Sequence, residues 1–197
     1  MQIEYELKFR ANEDAVSAIA LSYANYPRQQ FQMQTTYYDT PSCALSARHY
    51  TLRQRFENGK RVCTLKTPAM GISRNELELV CDDLIIAAEQ FCKMDAPEDF
   101  VVLIKEGLIP VCGAEFTRIA ISLKLEDAVV ELALDYGILS GGGQTVPLCE
   151  VEVELKSGSK DAADLFASIL ADEFGLIPEE KSKFRRAFAL YQKGGSV

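Results

Sequence analysis

The sequence predicts an α+β fold built on an antiparallel sheet, and three observations carry that prediction. Several runs alternate apolar and charged residues with period two, beginning with Ile3-Glu4-Tyr5-Glu6-Leu7-Lys8-Phe9, as half-buried strands do. Two such runs are joined by Asn58-Gly59, residue types that suit the positive φ angles of a two-residue hairpin turn. Runs of helical spacing are grouped at the middle and end of the chain rather than following every strand, which favours antiparallel pairing.

Taken in order, the opening strand puts Ile3, Tyr5, Leu7 and Phe9 on one face and Glu4, Glu6 and Lys8 on the other. Asn12 then caps a short helix that ends before Pro27. Residues 31–39 alternate and are rich in aromatics, and Thr40-Pro41-Ser42 forms the turn that follows. A polar segment containing Leu45 leads into the hairpin, with Arg53 and Arg55 in its first strand and Thr64 and Lys66 in its second. Residues 74–80 give another strand, Asp82 or Asp83 opens a helix to about Met94, and Pro97 starts a second helix that Gly107 stops. Strand character returns at 115–125 and 128–135, and the run Gly141-Gly142-Gly143 reads as a flexible connector. The last strand, 148–156, repeats the opening theme with Glu150, Glu152, Glu154 and Lys156. Ser159 caps a helix that Gly175 ends, and an amphipathic segment over about 181–192 closes the chain. The count is about eight strands and four or five helices in a single domain over residues 1–197.

Composition narrows the function. A chain of 197 residues that is 48% hydrophobic can bury a sizeable core. No apolar run reaches membrane-spanning length and the N-terminus enters a charged strand directly, so a cytoplasmic protein without membrane contact is expected. Six cysteines (Cys43, Cys63, Cys81, Cys92, Cys112 and Cys149), none in a Cys-x-x-Cys pair, fit reduced packed thiols. A net charge of −8 argues against a nucleic-acid surface. His49 is the only histidine, and its segment carries no motif, so it is assigned to surface or loop structure. Without imidazole, any metal must be held by carboxylates, which points to a hard ion such as Mg²⁺ or Mn²⁺.

Sorting the strands by period two collects charged rows: Glu4/Glu6/Lys8, Arg53/Arg55, Arg74/Glu76/Glu78, Glu131/Asp135 and Glu150/Glu152/Glu154, with Lys66 and Arg118 besides. An open sheet with these rows in water satisfies the pattern. So does a closed barrel with the rows turned inward, which also removes the unpaired sheet edges. Inward charges need water, cations and an anionic ligand, because an unpaired buried ion costs several kcal/mol. The pattern alone does not choose between them.

The residues also resemble a known family. Glu4-x-Glu6-x-Lys8 at the N-terminus is similar to the signature of the triphosphate tunnel metalloenzymes, the CYTH superfamily. The likeness continues in Tyr37-Tyr38-Asp39-Thr40-Pro41, Leu52-Arg53-Gln54-Arg55, Thr64-Leu65-Lys66 and Arg74-Asn75-Glu76-Leu77-Glu78. It extends to Leu134-Asp135-Tyr136-Gly137, Glu150-Val151-Glu152-Val153-Glu154-Leu155 and Ser182-Lys183 with Arg186. The resemblance implies an eight-stranded antiparallel closed β-barrel, a tunnel with helices packed on its outside. It implies that Glu4, Glu6, Glu150, Glu152 and, less directly, Glu154 surround Mg²⁺ or Mn²⁺. Lys8, Arg53, Arg55, Lys66, Arg118 and Lys183 would bind triphosphate, with Arg74 and Arg186 as further candidates. Glu76, Glu78 and Asp135 would hold basic side chains or water in place.

The implied activity is hydrolysis of inorganic triphosphate to pyrophosphate and phosphate, with cations stabilising the charge that develops during transfer to water. The implied partner is a small triphosphate or polyphosphate, and a homodimer is compatible with the chain. Two alternatives stand beside it. One is an organic triphosphate substrate, as in thiamine-triphosphatases and class IV adenylate cyclases; the other is a polyphosphate-binding module without turnover.

Overall fold

The computed structural model describes residues 2–69 and 74–194, with residues 2–4 described by their backbone alone. Ten strands form one antiparallel sheet: β1 (Gln2–Glu4), β2 (Glu6–Arg10), β3 (Arg28–Asp39), β4 (Thr51–Glu57), β5 (Lys60–Pro68), β6 (Arg74–Val80), β7 (Ile109–Lys124), β8 (Ala128–Gly141), β9 (Gln144–Gly158) and β10 (Ile177–Pro178). Six helices accompany them among the described residues: α1 (Glu13–Ser22), α2 (Ala44–Ala47), α3 (Leu84–Phe91), α4 (Glu98–Leu103), α5 (Lys160–Phe174) and α6 (Lys183–Gly194).

The strand order is β1-β6-β5-β4-β3-β7-β8-β9-β2-β10. This corrects the expected closed eight-stranded barrel, because β1 stands at one end of the hydrogen-bonded order and β10 at the other. The reason lies in the opening strand. Its first half pairs with β6, with Glu4 opposite Arg74, and its second half pairs with β9, with Glu6 opposite Glu154. The single residue between them, Tyr5, accepts a bond from the Leu155 amide and directs its hydroxyl to Asp164 on α5. Covalent continuity at Tyr5, not a ladder, joins β1 at one end of the order to β2, next to the other end.

Two helical layers cover the face opposite the charges. Phe9, Ile121, Leu132, Leu134, Val151 and Val153 pack beneath Val16 and Ile19 of α1 and Ala163, Ala167 and Leu170 of α5. Leu52, Cys63, Leu65 and Leu77 pack beneath Leu45 of α2, Leu84 and Phe91 of α3 and Phe100 of α4. Each fully buried Leu or Phe is worth about 1.5–3 kcal/mol. The expected caps form: Asn12 accepts from the Ala15 amide at 2.8 Å, Asp83 from Ile85 at 2.8 Å and Ser159 from Ala162 at 3.3 Å. Gly175 ends α5 in the left-handed region.

Helix α6 departs from the expectation that every helix packs outside. Its Phe184, Ala187 and Phe188 lie on Met33, Tyr37, Phe116, Leu139 and Leu148. By strand parity Phe116 shares a face with Arg118, and Leu148 with Glu150. The helix therefore crosses the charge-bearing face. The glycine run is also not a flexible connector. Gly142 and Gly143 form a tight turn at φ 55° and 74°, as a two-residue hairpin loop requires. β7 begins at Ile109, earlier than expected, because Pro110 is accommodated where the β3–β7 register shifts between Tyr37 and Tyr38. All six cysteines are free thiols. No helix among the described residues is long and apolar enough to cross a membrane.

Candidate functional site

The charged face surrounds a cavity of about 690 Å³. Its walls come from strands far apart in the order: Glu6 and Lys8 of β2, Tyr37 of β3, Arg53 and Arg55 of β4, Lys66 of β5, Arg74 of β6, Arg118 of β7 and Glu152 and Glu154 of β9. Lys183 and Arg185 of α6 complete the lining, with Glu179 and Glu180 just before that helix. The sheet thus curls around most of its charges, while Glu78 stays exposed. Asp135 and Glu150 are fully buried, as are, nearly so, Arg55, Glu152 and Lys183.

Charge is segregated within the cavity. On one side β2 and β9 set carboxylates side by side, Glu6 directly opposite Glu154, with Glu131 of β8 opposite Glu154 in turn. Like charges placed this way repel. Lys156 offsets part of that, 2.7 Å from Glu154, and Lys8 Nζ donates to Glu6 at 3.0 Å. Burial works to lower the Lys8 ammonium, but Glu6, Glu152 and Glu150 outweigh it and hold its pKa above the ordinary lysine value.

On the other side β4, β5 and β6 present cations, and the ion pairs of Arg53 and Arg55 are long. Arg53 is 3.7 Å from Glu76, Lys66 is 3.5 Å from Glu76 and Arg55 is 3.8 Å from Glu57, all beyond ordinary charge-assisted hydrogen bonds. The Arg53 Nε is buried without a hydrogen-bond partner. Burial, with Arg53 and Arg118 close by, pulls the Arg55 guanidinium down to about 10. Burial is the main cause of that depression, and the neighbouring guanidinium groups add to it. Glu78 lies 3.5 Å from the Thr64 hydroxyl, and Arg74 donates to the His49 carbonyl at 3.1 Å.

Between the two walls sits a tight cluster. Asp135, Glu150 and Glu152 bring carboxylate oxygens within 4.8 Å of one another. Arg118 donates to both oxygens of Asp135 at 2.7 Å and also to Glu152. Lys183 Nζ lies 2.8 Å from Asp135 and 2.7 Å from Glu152 and donates to Glu150, whose other oxygen takes Arg186. Burial raises Glu152, yet Lys183 and Arg118 hold it well below the usual carboxylate range. Burial pushes Glu150 up to about 7, against Lys183 and with the Glu152 charge adding to the rise. The Phe116 ring stands at the junction, 5.9 Å from Arg55, 5.8 Å from Arg118 and 5.4 Å from Lys183.

Nearly every residue singled out in the sequence therefore meets at one cavity or at the cluster beside it. The side chain of Glu4 lies outside the described residues. Glu150 has both oxygens engaged by cations and does not line the cavity. Sequence reasoning missed Tyr37 as a lining residue, and likewise Glu179, Glu180 and Arg185. His49 is exposed in a turn, as expected, but that turn (φ 60°) borders the cavity. Asp39 of the Tyr-Tyr-Asp-Thr-Pro segment is structural: its carboxylate accepts from the amides of Thr40, Leu45 and Ser46 at 2.7, 2.8 and 3.0 Å, fixing this turn.

Carboxylate oxygens are the donor set of a hard divalent cation. Glu6, Glu152 and Glu154 line the cavity, and Asp135, Glu150 and Glu152 are the described carboxylates whose spacing suits such an ion.

Comparison with known proteins agrees with this fold. An inorganic triphosphatase of Haemophilus influenzae is 28% identical over 169 residues, covering 84% of this chain and 47% of the relative. The chain thus spans about half the length of the curated relative it matches. The fold is shared with a Hippeastrum protein described as an adenylyl cyclase with a dominant triphosphatase activity, at a TM-score of 0.65 and 18% identity over 100% of this chain and 98% of that one. It is also shared with a Pyrococcus horikoshii protein, at a TM-score of 0.61 and 23% identity over 96% and 99% of the two chains. The CYTH domain model matches residues 2–188, and the chain belongs to the CYTH domain family.

Proposed function

We propose that the chain, folded as one CYTH domain, hydrolyses inorganic triphosphate to pyrophosphate and phosphate with a divalent cation, Mg²⁺ or Mn²⁺. The observation that carries this reading is the segregation of the cavity into an acidic wall and a cationic wall with unmet donors. Arg53 and Arg55 have long ion pairs, and the buried Arg53 Nε is orphaned. A chain of phosphates supplies oxygens at the density such donors require. The similarity to an inorganic triphosphatase supports the same substrate class.

In this reading Arg53, Arg55, Lys66 and Lys8 bind phosphate oxygens, with Arg74 at the cavity edge. Glu6, Glu152 and Glu154 hold the divalent ion, Glu4 being a further ligand by its place in the sequence. A divalent ion held there would supply charge neutralisation for phosphate oxygens. The cationic wall orients the terminal phosphoryl group and stabilises the charge that spreads over it during transfer to water. Glu76 and Glu78 orient Arg53, Lys66 and Thr64 from behind. The curled sheet encloses the substrate in this reading, with Tyr5 where the opening strand changes partner.

The test is phosphate release from tripolyphosphate, thiamine triphosphate and ATP, each with and without EDTA. The expected result is EDTA-sensitive release with the highest kcat/KM on tripolyphosphate. A higher value on either organic substrate would overturn the choice of substrate, and binding without release would make the domain a polyphosphate-binding module.

A further inference from the structure

The outer face of the sheet carries an open strip between its two helical layers. On one side α1 and α5 cover Ile121, Leu134 and Val151. On the other α2, α3 and α4 cover Leu52, Cys63 and Leu65. Between them Phe56 of β4 and Tyr136 and Ile138 of β8 are 41, 40 and 41% exposed. These three wall a groove of about 490 Å³, with Gln34 of β3 and Glu115 of β7 lining it from the strands between. Strand parity turns all five side chains away from the charged cavity.

The register sets one row across this strip. Arg61 of β5 lies opposite Phe56, Phe56 opposite Gln34, Gln34 opposite Glu115 and Glu115 opposite Ile138. Arg61 lays its guanidinium over the Phe56 ring, 5.8 Å from the centroid, so the two side chains form one knob. The exposed Glu115 stands across the groove from it. Among the described residues neither Arg61 nor Glu115 has an ion-pair partner. Within one chain three strand spacings, about 14 Å, separate them, which is beyond the screening length of about 8–10 Å.

A second copy of the chain supplies both missing partners. A twofold axis parallel to the strands, placed between Phe56 and Gln34, reverses the row. Phe56 then meets the partner's Gln34 inside the partner's groove, and Arg61 meets the partner's Glu115. Both contacts recur in the other direction, as an isologous interface requires. A twofold running across the strands through this row would set Arg61 on Arg61 and Glu115 on Glu115, and like charges repel. The row is therefore self-complementary in one orientation. We infer that this outer strip of β3, β4, β5, β7 and β8 is a homodimer interface, in which the Arg61–Phe56 knob of each copy enters the groove of the other. Sheets packed face to face in this way keep their strands aligned to within about 30°. Three large apolar side chains lie at its centre, which places it in the small, transient class of interfaces, so the dimer dissociates on dilution.

Analytical ultracentrifugation of the full chain over roughly 1 μM to 1 mM tests this. The unaltered chain is expected to pass from monomer to dimer across that range. Arg61→Glu and Glu115→Arg each place two like-charge pairs in the interface, and each is expected to weaken dimerisation at least about tenfold. Mixed in equal amounts, the two variants are expected to dimerise as the unaltered chain does, because a copy with two anions then meets a copy with two cations. Phe56→Ser keeps both charges and removes the knob. It is expected to stay monomeric, and it decides the matter should either charge variant fail to fold. An unaltered chain that is monomeric throughout, or a mixture that associates no better than its components, would overturn the inference. So would a Phe56→Ser chain that dimerises as well as the unaltered one.

Discussion

Arg118 holds Asp135 with both arms of its guanidinium, Nε to Oδ1 and Nη2 to Oδ2, each at 2.7 Å. Two parallel charge-assisted bonds across β7 and β8 fix the planes of both groups. Asp135 is fully buried and keeps Lys183 at 2.8 Å, but removing Arg118 takes one positive charge from the buried Asp135–Glu150–Glu152 cluster. Arg118→Ala is expected to cost roughly 3–5 kcal/mol of stability. Arg118→Lys is expected to recover only part of it, because an ammonium cannot form the fork. Denaturant midpoints for both variants check this, and equal stability of Arg118→Lys and the unaltered protein would show that the fork is dispensable.

Arg53 presents the opposite situation, a buried guanidinium with an orphaned Nε and Glu76 no closer than 3.7 Å. Little native pairing is lost when it is removed, so stability is expected to change by less than about 1 kcal/mol. Charge-assisted bonds to substrate are worth roughly 1.5–3 kcal/mol, which converts to a loss of about 10- to 100-fold in kcat/KM on tripolyphosphate. Steady-state kinetics and a melt on Arg53→Ala together test the pairing of small structural with large functional effect.

Glu6 and Glu154 face each other on β2 and β9, an arrangement that costs stability until a cation joins them. Glu6→Gln is expected to leave the EDTA-treated protein as stable as before or slightly more so, while Mn²⁺ affinity falls at least about tenfold (1.4 kcal/mol). Calorimetry with Mn²⁺ and a melt in EDTA provide the two measurements. A parallel loss in both would assign Glu6 to structure instead.

How far the sequence foretold this site varies with the kind of contact. Alternation placed Glu150, Glu152 and Glu154 on one face because strand parity is local. It also held unbroken from Ile3 to Phe9, and so concealed the change of partner at Tyr5, which depends on two strands distant in the chain. The apolar stripe of Phe184, Phe188 and Tyr191 marked an amphipathic helix but not the surface that receives it. A hint was present, since Phe116 precedes Arg118 by two residues and Leu148 precedes Glu150 by two, so the charged rows turn apolar at one end. Which cations the carboxylates bind was not legible at all. Lys183 reaches Asp135 from a helix 48 positions downstream only because β8, β9 and α6 meet in three dimensions.

Glu150 gives the chain a pH dependence of determined sign. Its carboxyl is raised from an ordinary 4.5 to about 7 in the folded protein, chiefly by burial. Between those values the folded state binds the proton and the unfolded state has released it, so Glu150 favours folding at low pH and this contribution is lost as pH rises through about 7. Glu152 acts in the opposite sense: held low, it stabilises above the ordinary carboxylate pKa and loses that contribution only as pH falls well below it. The two windows do not coincide, which allows Glu150 to be isolated. In EDTA, the stability of the unaltered protein minus that of Glu150→Gln is expected to fall between pH 5 and pH 8. A constant difference across that range would mean that Glu150 titrates as an ordinary carboxylate.

Helix α6 is held at its far end by glycine. A Cβ built on Gly141 would stand 2.4 Å from the Ala187 carbonyl oxygen and 2.8 Å from the Tyr191 nitrogen, both main-chain atoms that cannot turn aside. Gly141→Ala therefore has to push α6 off the hairpin, an overpacking cost of roughly 1–3 kcal/mol. Gly143, two residues on, is the natural control. Its φ of 74° is left-handed, yet nothing lies within 4 Å of its Cβ position, so Gly143→Ala is expected to cost only the backbone penalty of about 1–2 kcal/mol. Stability alone need not separate the two variants, but the site does. Displacing α6 disturbs Lys183 and Arg186, and with them the orientation of Glu152, so Gly141→Ala is expected to lower Mn²⁺ affinity and tripolyphosphate turnover while Gly143→Ala leaves both unchanged. Equal effects of the two substitutions on Mn²⁺ binding would disconnect α6 from the cavity.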